Sequence, residues 1–187
     1  ILICINKTDL DRDEKYREIC SLYSKAGFDV LPISAALNVG IDELNKRLEG
    51  KISVLAGPSG VGKSSVLNMI DPEINAQVGE ISRKIERGKH TTRQSELMKL
   101  DENTYIVDSP GFTSLDMSGI EPDELENYFR EFEPYLKDCR YTGCKHINED
   151  SQYCGIKSQV GINISESRYL RYKDIYNELV EERKRMK

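Results

Sequence analysis

The stretch Gly57 to Ser65, GPSGVGKSS, constrains this chain more than any other. It fits G-x-x-x-x-G-K-[ST], a loop whose backbone N–H groups point inward to cradle phosphates. The run before it, Ile52 to Ala56, is short, apolar and β-branched and predicts a buried strand. The run after it, Ser65 to Ile70, predicts a helix that stops at Asp71-Pro72. A strand, a tight glycine turn and a helix N-terminus together form an anion site. Gly57, Pro58, Ser59, Gly60, Val61, Gly62, Lys63, Ser64 and Ser65 are therefore candidate phosphate-binding residues. Lys63 is placed to reach the β- and γ-phosphates and Ser64 to ligate Mg²⁺.

The loop does not choose a base, because kinases of nucleoside monophosphates carry nearly the same string. Asn6-Lys7-Thr8-Asp9 does choose. It follows Ile1 to Ile5, an apolar run with the pattern of a strand covered on both faces. The Asp9 carboxylate can accept from guanine N1–H and its exocyclic amine, donors that adenine lacks. Leaving that acceptor unpaired discriminates on the order of 10⁴-fold in favourable cases. Lys7 can cover the base face and Asn6 can brace a neighbouring loop. Asp13 to Ala26 predicts a helix, with Tyr16, Ile19, Cys20 and Tyr23 at helical spacing; Cys4 and Cys20 read as core thiols. Phe28 to Ile33 predicts a strand ending in Ser34-Ala35-Ala36, whose N–H groups are candidates for the guanine carbonyl oxygen. Ile41, Leu44 and Leu48 mark one face of a further helix.

Residues 71–93 are polar, fit no period, and end in Gly88-Lys89-His90-Thr91-Thr92. This is the place for a loop that folds over a γ-phosphate with a threonine on Mg²⁺; spacing leaves Thr91 and Thr92 both open. Glu96 to Leu100 and Thr104 to Val107 predict two strands around a turn. The second delivers Asp108-Ser109-Pro110-Gly111, where Asp108 would hold Mg²⁺ through water and Gly111 N–H would sense the γ-phosphate. Phe112 follows, and a phenyl ring cannot orient water. His90 is the candidate for that task, or else a local hydrogen-bond partner of its loop. Lys63, His90 and Thr92 are the candidate catalytic residues.

Asp123 to Phe132 predicts a helix with Leu125, Tyr128, Phe129 and Phe132 on one stripe. Cys139, Cys144, His146 and Cys154 then gather three thiols and one of only two histidines in one polar stretch. Cys₃His is a closed ligand set suited to one structural Zn²⁺; free thiols in a loop are the alternative. A segment with so little core of its own needs such a staple. Arg140, Lys145 and Lys157 flank the cluster and could meet phosphates, or simply be solvated. Ser165 or Ser167 caps a last helix that carries Tyr169, Tyr172, Tyr176 and Leu179 at helical spacing and ends in a basic tail.

The motif order is itself informative. A conventional GTPase runs phosphate loop, switch threonine, D-x-x-G, N-K-x-D, S-A-x. Here the last two come first, so the same cycle is opened elsewhere, a permutation that surface termini tolerate. With these motifs and the cysteine cluster, the chain resembles the circularly permuted, ribosome-dependent GTPases of the RsgA (YjeQ/YloQ) type. The resemblance implies GTP hydrolysis stimulated by the small ribosomal subunit, a role in late 30S maturation, contact with 16S rRNA, zinc at the four positions above and Mg²⁺ with GTP. It favours a catalytic role for His90. The family also has an N-terminal OB-fold that binds RNA. Ile1, directly in an apolar run, sets the expectation that such a portion precedes this sequence.

Composition narrows the partners. Net charge is −5, so nucleic-acid contact must come from local basic patches. No run of eighteen apolar residues and no signal peptide is visible, which predicts no membrane partner. Five cysteines without an export signal fit a reducing, cytoplasmic compartment. The expectation is an α/β chain: a circularly permuted P-loop GTPase domain over 1–117 and a small helical zinc-binding domain over 118–187, monomeric, cycling between GTP and GDP. A GTP-gated RNA-binding module with negligible hydrolysis and a nucleoside monophosphate kinase are the alternatives; N-K-x-D and the permuted order argue against the kinase.

Overall fold

A computed structural model of the chain describes residues 1–74, 96–108, 117 and 119–186. They form β1 (Leu2–Ile5), α1 (Tyr16–Lys25), β2 (Asp29–Pro32), α2 (Ile41–Leu48), β3 (Ile52–Leu55), α3 (Lys63–Ile70), β4 (Glu96–Lys99), β5 (Tyr105–Asp108), α4 (Gly155–Gln159) and α5 (Glu166–Arg185). The chain divides into two compact units: Leu2–Cys20 with Val30–Leu115, and Ser21–Asp29 with Asp116–Lys187 (Ile1 groups with the latter).

In the first unit β1 pairs with β2, and β3, β5 and β4 form a second sheet in that order. β3 and β5 are parallel, with Leu55 opposite Asp108; β4 runs antiparallel to β5. One core serves both sheets. Ile41, Leu44 and Leu48 of α2 meet Val66 and Leu67 of α3, Ile33 and Ile106, all buried, with Leu2, Cys4, Leu55 and Met98 against them. The α2 face is as its spacing predicts, and its Gly40 N-cap sits in the left-handed region. The buried-strand expectation for Ile52 to Ala56 is corrected: Ile52 is 73% and Val54 61% exposed. The same holds for the run at the N-terminus, whose four strand residues are all only half-buried. In β3 burial alternates, so only one pleat face is covered, whereas in β1 both faces are half-covered.

The second unit has no extended sheet among the described residues. The helix expected over Asp123 to Phe132 is instead two 3₁₀ segments, Pro122–Tyr128 and Arg130–Asp138. Pro122 opens the first segment, a position that either kind of helix accepts, while Pro134 lies inside the second, where it removes a donor and disfavours an α-helical path. The tighter period stacks Phe129, Phe132 and Tyr135 three apart, and all three join the core. Tyr128 is turned out, 57% exposed. From α5, Tyr169, Tyr172 and Leu179 enter that core, with Tyr176 at its edge. Phe132 and Tyr172 meet edge to face at 4.9 Å. Ser165 is the α5 N-cap but makes no side-chain cap bond; its hydroxyl lies 3.0 Å from that of Ser167. Arg168 on α5 binds buried Glu131 at 2.6 Å, and its guanidinium lies between the rings of Phe129 at 4.7 Å and Tyr23 at 5.6 Å. No helix among the described residues is long and apolar enough to cross a membrane.

Candidate functional site

The first site forms where β1, β2 and β3 end. α3 begins at Lys63, two residues earlier than its apolar run suggests, so Ser64 lies in its first turn. Gly62 is the N-cap at φ 97°, in the left-handed region. A Cβ there would overlap the Asn6 amide. This contact explains the glycine twice over, by conformation and by space. Lys63 Nζ arches back over its own loop and donates to Gly57 O at 2.7 Å and Pro58 O at 3.1 Å. The ammonium is thereby held inside the loop.

Asn6 and Lys7 reach this loop across the break in sequence. Asn6 Nδ2 donates to Val61 O at 2.9 Å, and Lys7 Nζ donates to Gly60 O at 2.6 Å. Lys7 adopts a left-handed φ of 68°. Asn6 Oδ1 accepts from Ala35 N at 3.2 Å, so one amide joins all three motif segments. Asp9 is exposed, and its Oδ1 accepts from Ser34 Oγ at 2.5 Å. Ser34 is itself fully buried, and its Oγ accepts from Leu37 N at 3.1 Å. Ser34 N–H donates to Val39 O and Ala35 N–H to Asn6, so two of the three candidate guanine donors hold protein partners in this structure. The serine hydroxyl that orients Asp9 was not legible in the sequence; the only signal was a small polar residue where a strand ends. Asp108 closes β5 directly opposite Leu55, the last residue of β3. That register sets the start of the D-x-x-G string beside the start of the phosphate loop. His90, Thr91, Thr92, Gly111 and Phe112 lie outside the described residues.

The second site is the cysteine cluster. One ligand atom each from Cys139, Cys144, His146 and Cys154 lies within 4.8 Å of the others. His146 Nδ1 is 3.3 Å from Cys154 Sγ and 3.6 Å from Cys139 Sγ. A tetrahedral Zn²⁺ with ordinary Zn–S and Zn–N lengths needs about 3.6 Å between a sulfur and a nitrogen, so the donor set fits that ion. His146 is 1% and Cys154 1% exposed. Burial, with Cys154 and Cys139 adjacent, pushes the Cys144 thiol up to about 12, and burial also raises Cys154. Thiolates crowded out of water need a cation to stand beside them.

The backbone around these ligands is gripped from several sides. Tyr169 Oη donates to His146 O at 2.7 Å and Tyr172 Oη to Lys145 O at 3.0 Å. Burial raises both phenols, Tyr169 to about 12. Glu149 accepts from the N–H groups of Lys145 and Ile147, each at 2.9 Å. Lys157 Nζ donates to Glu149 O and Ile147 O. Lys157 is thus engaged inside the loop, and Lys145 pairs with Asp123 at 2.7 Å. Their expected alternative role, at phosphates, competes with these partners. Glu126, Tyr169, Tyr172 and Glu149 escaped sequence reasoning as site residues, because the contacts join positions far apart in the chain.

Comparison with known proteins places the chain in a family. The model of the RsgA GTPase family matches residues 1–118. The Small ribosomal subunit biogenesis GTPase RsgA of Alkaliphilus metalliredigens is 43% identical over 185 residues, covering 98% of this chain and 63% of that protein. The protein of the same name from Agathobacter rectalis is 45% identical over 180 residues, covering 96% of this chain and 59% of its own length. The chain spans about three fifths of the curated relatives it matches. Among solved structures, YjeQ from Thermotoga maritima superposes with a TM-score of 0.78 at 39% identity, covering 96% of this chain and 59% of that one. YloQ, described as a circularly permuted GTPase, gives 0.73 at 29% identity, covering 97% and 57%. The fold is accordingly α/β, a circularly permuted GTPase fold followed by a small C-terminal unit with a Cys₃His cluster that could hold a metal ion. The chain belongs to the RsgA GTPase family.

Proposed function

We propose that this chain binds GTP and hydrolyses its γ-phosphate, and that the small ribosomal subunit stimulates the reaction during subunit maturation. The observation that carries this reading is the pair of bonds from Asn6 and Lys7 to Val61 and Gly60. They bring the base-reading string and the phosphate loop to one place despite the permuted order. The names of the relatives supply the ribosomal part of the reading.

In this mechanism Asp9, oriented by Ser34, accepts from the guanine edge. The loop N–H groups from Gly57 to Ser65 bind phosphate oxygens, which draw Lys63 away from the Gly57 and Pro58 carbonyls. Lys63 then offsets the charge that grows on the transferred group as water attacks in line. Ser64, Asp108 and one of Thr91 and Thr92 are the proposed holders of Mg²⁺, which when bound neutralises the β- and γ-oxygens. His90 is the proposed positioner of the water, since Phe112 cannot serve.

We assign residues 1–117 to the nucleotide domain and 118–187 to a zinc-binding domain. One Zn²⁺ on Cys139, Cys144, His146 and Cys154 would crosslink the loop that carries them to the core in which Cys144 and Cys154 are buried. The partners proposed are the 30S subunit and its 16S rRNA, with the chain as a monomer in the cytoplasm. Phosphate release with and without small subunits tests the function. Stimulated release that Lys63→Ala abolishes is expected. Tight GTP binding with no release beside subunits would instead favour a GTP-gated RNA-binding module, and phosphoryl transfer to GMP a kinase.

A further inference from the structure

We propose that Glu126 is the positioning residue of the cysteine cluster: it fixes which nitrogen of His146 faces the three thiols. The inference rests on reading that cluster as a metal site.

The His146 ring is buried, and its two nitrogens look in opposite directions. Nδ1 faces Cys154 Sγ at 3.3 Å and Cys139 Sγ at 3.6 Å. Nε2 faces Glu126 Oε2 at 2.8 Å. A neutral imidazole carries one N–H, and an ionised carboxylate only accepts. The proton therefore belongs on Nε2, and the Nδ1 lone pair is left pointing at the sulfurs, as a metal ligand requires. With no acceptor at Nε2, the buried ring gains by moving its proton to Nδ1, and it then presents a hydrogen to the ion.

Glu126 is delivered by the 3₁₀ segment Pro122–Tyr128, anchored through buried Leu125 at 2% exposure. The same segment presents Asp123, which pairs with Lys145 at 2.7 Å. Two acids three residues apart thus hold two consecutive residues of the ligand loop. Of these two acids Glu126 alone is bonded to the ring, so Asp123 is the natural control. The Phe132 ring, 6.1 Å from the imidazole, and the Tyr172 ring, 6.2 Å away, wall its flanks. A carboxylate behind a ligating histidine is worth about 10- to 100-fold in metal affinity.

The test uses the full chain and the variants Glu126→Ala, Glu126→Gln and Asp123→Ala. Co²⁺ titration is followed through thiolate-to-cobalt absorption, and Zn²⁺ affinity through competition with a chromogenic chelator. Thermal unfolding is recorded metal-free and loaded. Glu126→Ala is expected to weaken Zn²⁺ by about 10- to 100-fold and to lower the loaded midpoint more than the metal-free one. Glu126→Gln, whose amide oxygen still accepts from Nε2–H, should recover most of the affinity, and Asp123→Ala should leave it unchanged. If Glu126→Ala does not fold, imidazole nitrogen shifts of metal-free Glu126→Gln against the parent report the tautomer directly; a parent ring with its proton on Nδ1 overturns the inference. Equal affinities, or equal losses in both metal states, mark Glu126 as a structural ion pair only and overturn it too. A parent chain without a thiolate–cobalt band overturns the metal reading itself, a different failure from a bound parent indifferent to Glu126.

Discussion

The two units reach order by opposite means. Around the phosphate loop, geometry comes from regular elements: strands in register, a helix N-cap and a glycine whose place no side chain can take. Around the cysteine cluster the backbone is mostly 3₁₀ and turn, apart from short α4, which Cys154 caps, and its shape comes from what grips it: tyrosine hydroxyls, the Glu149 carboxylate and the Lys157 ammonium. The first can be disturbed locally and keep its scaffold. The second is a web in which scaffold and site are the same atoms, so its failures should be cooperative.

That contrast can be broken by experiment. The largest effect expected is loss of metal: a strong chelator, or Cys154→Ser, should unfold the second unit, because apparent binding energies of structural Zn²⁺ are on the order of 10–16 kcal/mol and serve as folding energy. Near-ultraviolet dichroism of the tyrosines follows this, and an unchanged spectrum after confirmed metal removal would defeat the contrast. Next comes Asp9→Ala, which should lower the preference for GTP over ATP on the order of 10⁴-fold with no change in melting behaviour. Competition binding checks it, and a matching fall in stability would show that the nucleotide site is also scaffold. Arg168→Ala leaves Glu131 buried and unpaired, and should cost about 3–5 kcal/mol in denaturant unfolding. A cost under about 1 kcal/mol, the value of an exposed pair, would show the pair to be dispensable. The smallest effect belongs to Tyr172→Phe, which removes only the bond to Lys145 O and should cost about 1 kcal/mol. Thermal melts of the loaded protein resolve it.

Much of the first unit was legible in the sequence because its motifs are contiguous strings. The string at Asn6 suggests a side chain that braces a neighbouring loop, and in the structure its amide donates to Val61 O at 2.9 Å. The α2 face was legible from its period alone. Exposure of Ile52 and Val54 was not, since an apolar run says nothing about what lies over its second face. Leu125, Phe129 and Phe132 suit an α or a 3₁₀ path alike, and Pro134 was the available clue against the former. The ligand set itself was visible as spacing, and its atoms do cluster. What holds those residues was not visible, since Glu126 lies twenty residues from His146 and belongs to no motif.

The Asn6 amide has one further consequence. Its oxygen answers an N–H on one side and its nitrogen answers a carbonyl on the other. Turned over, it would set donor against donor and acceptor against acceptor. The side chain therefore works as a key with a single orientation. An aspartate of identical outline would repel at Val61, and a leucine would satisfy neither neighbour. Three stretches that synthesis delivers at different times are thus admitted to one arrangement or to none.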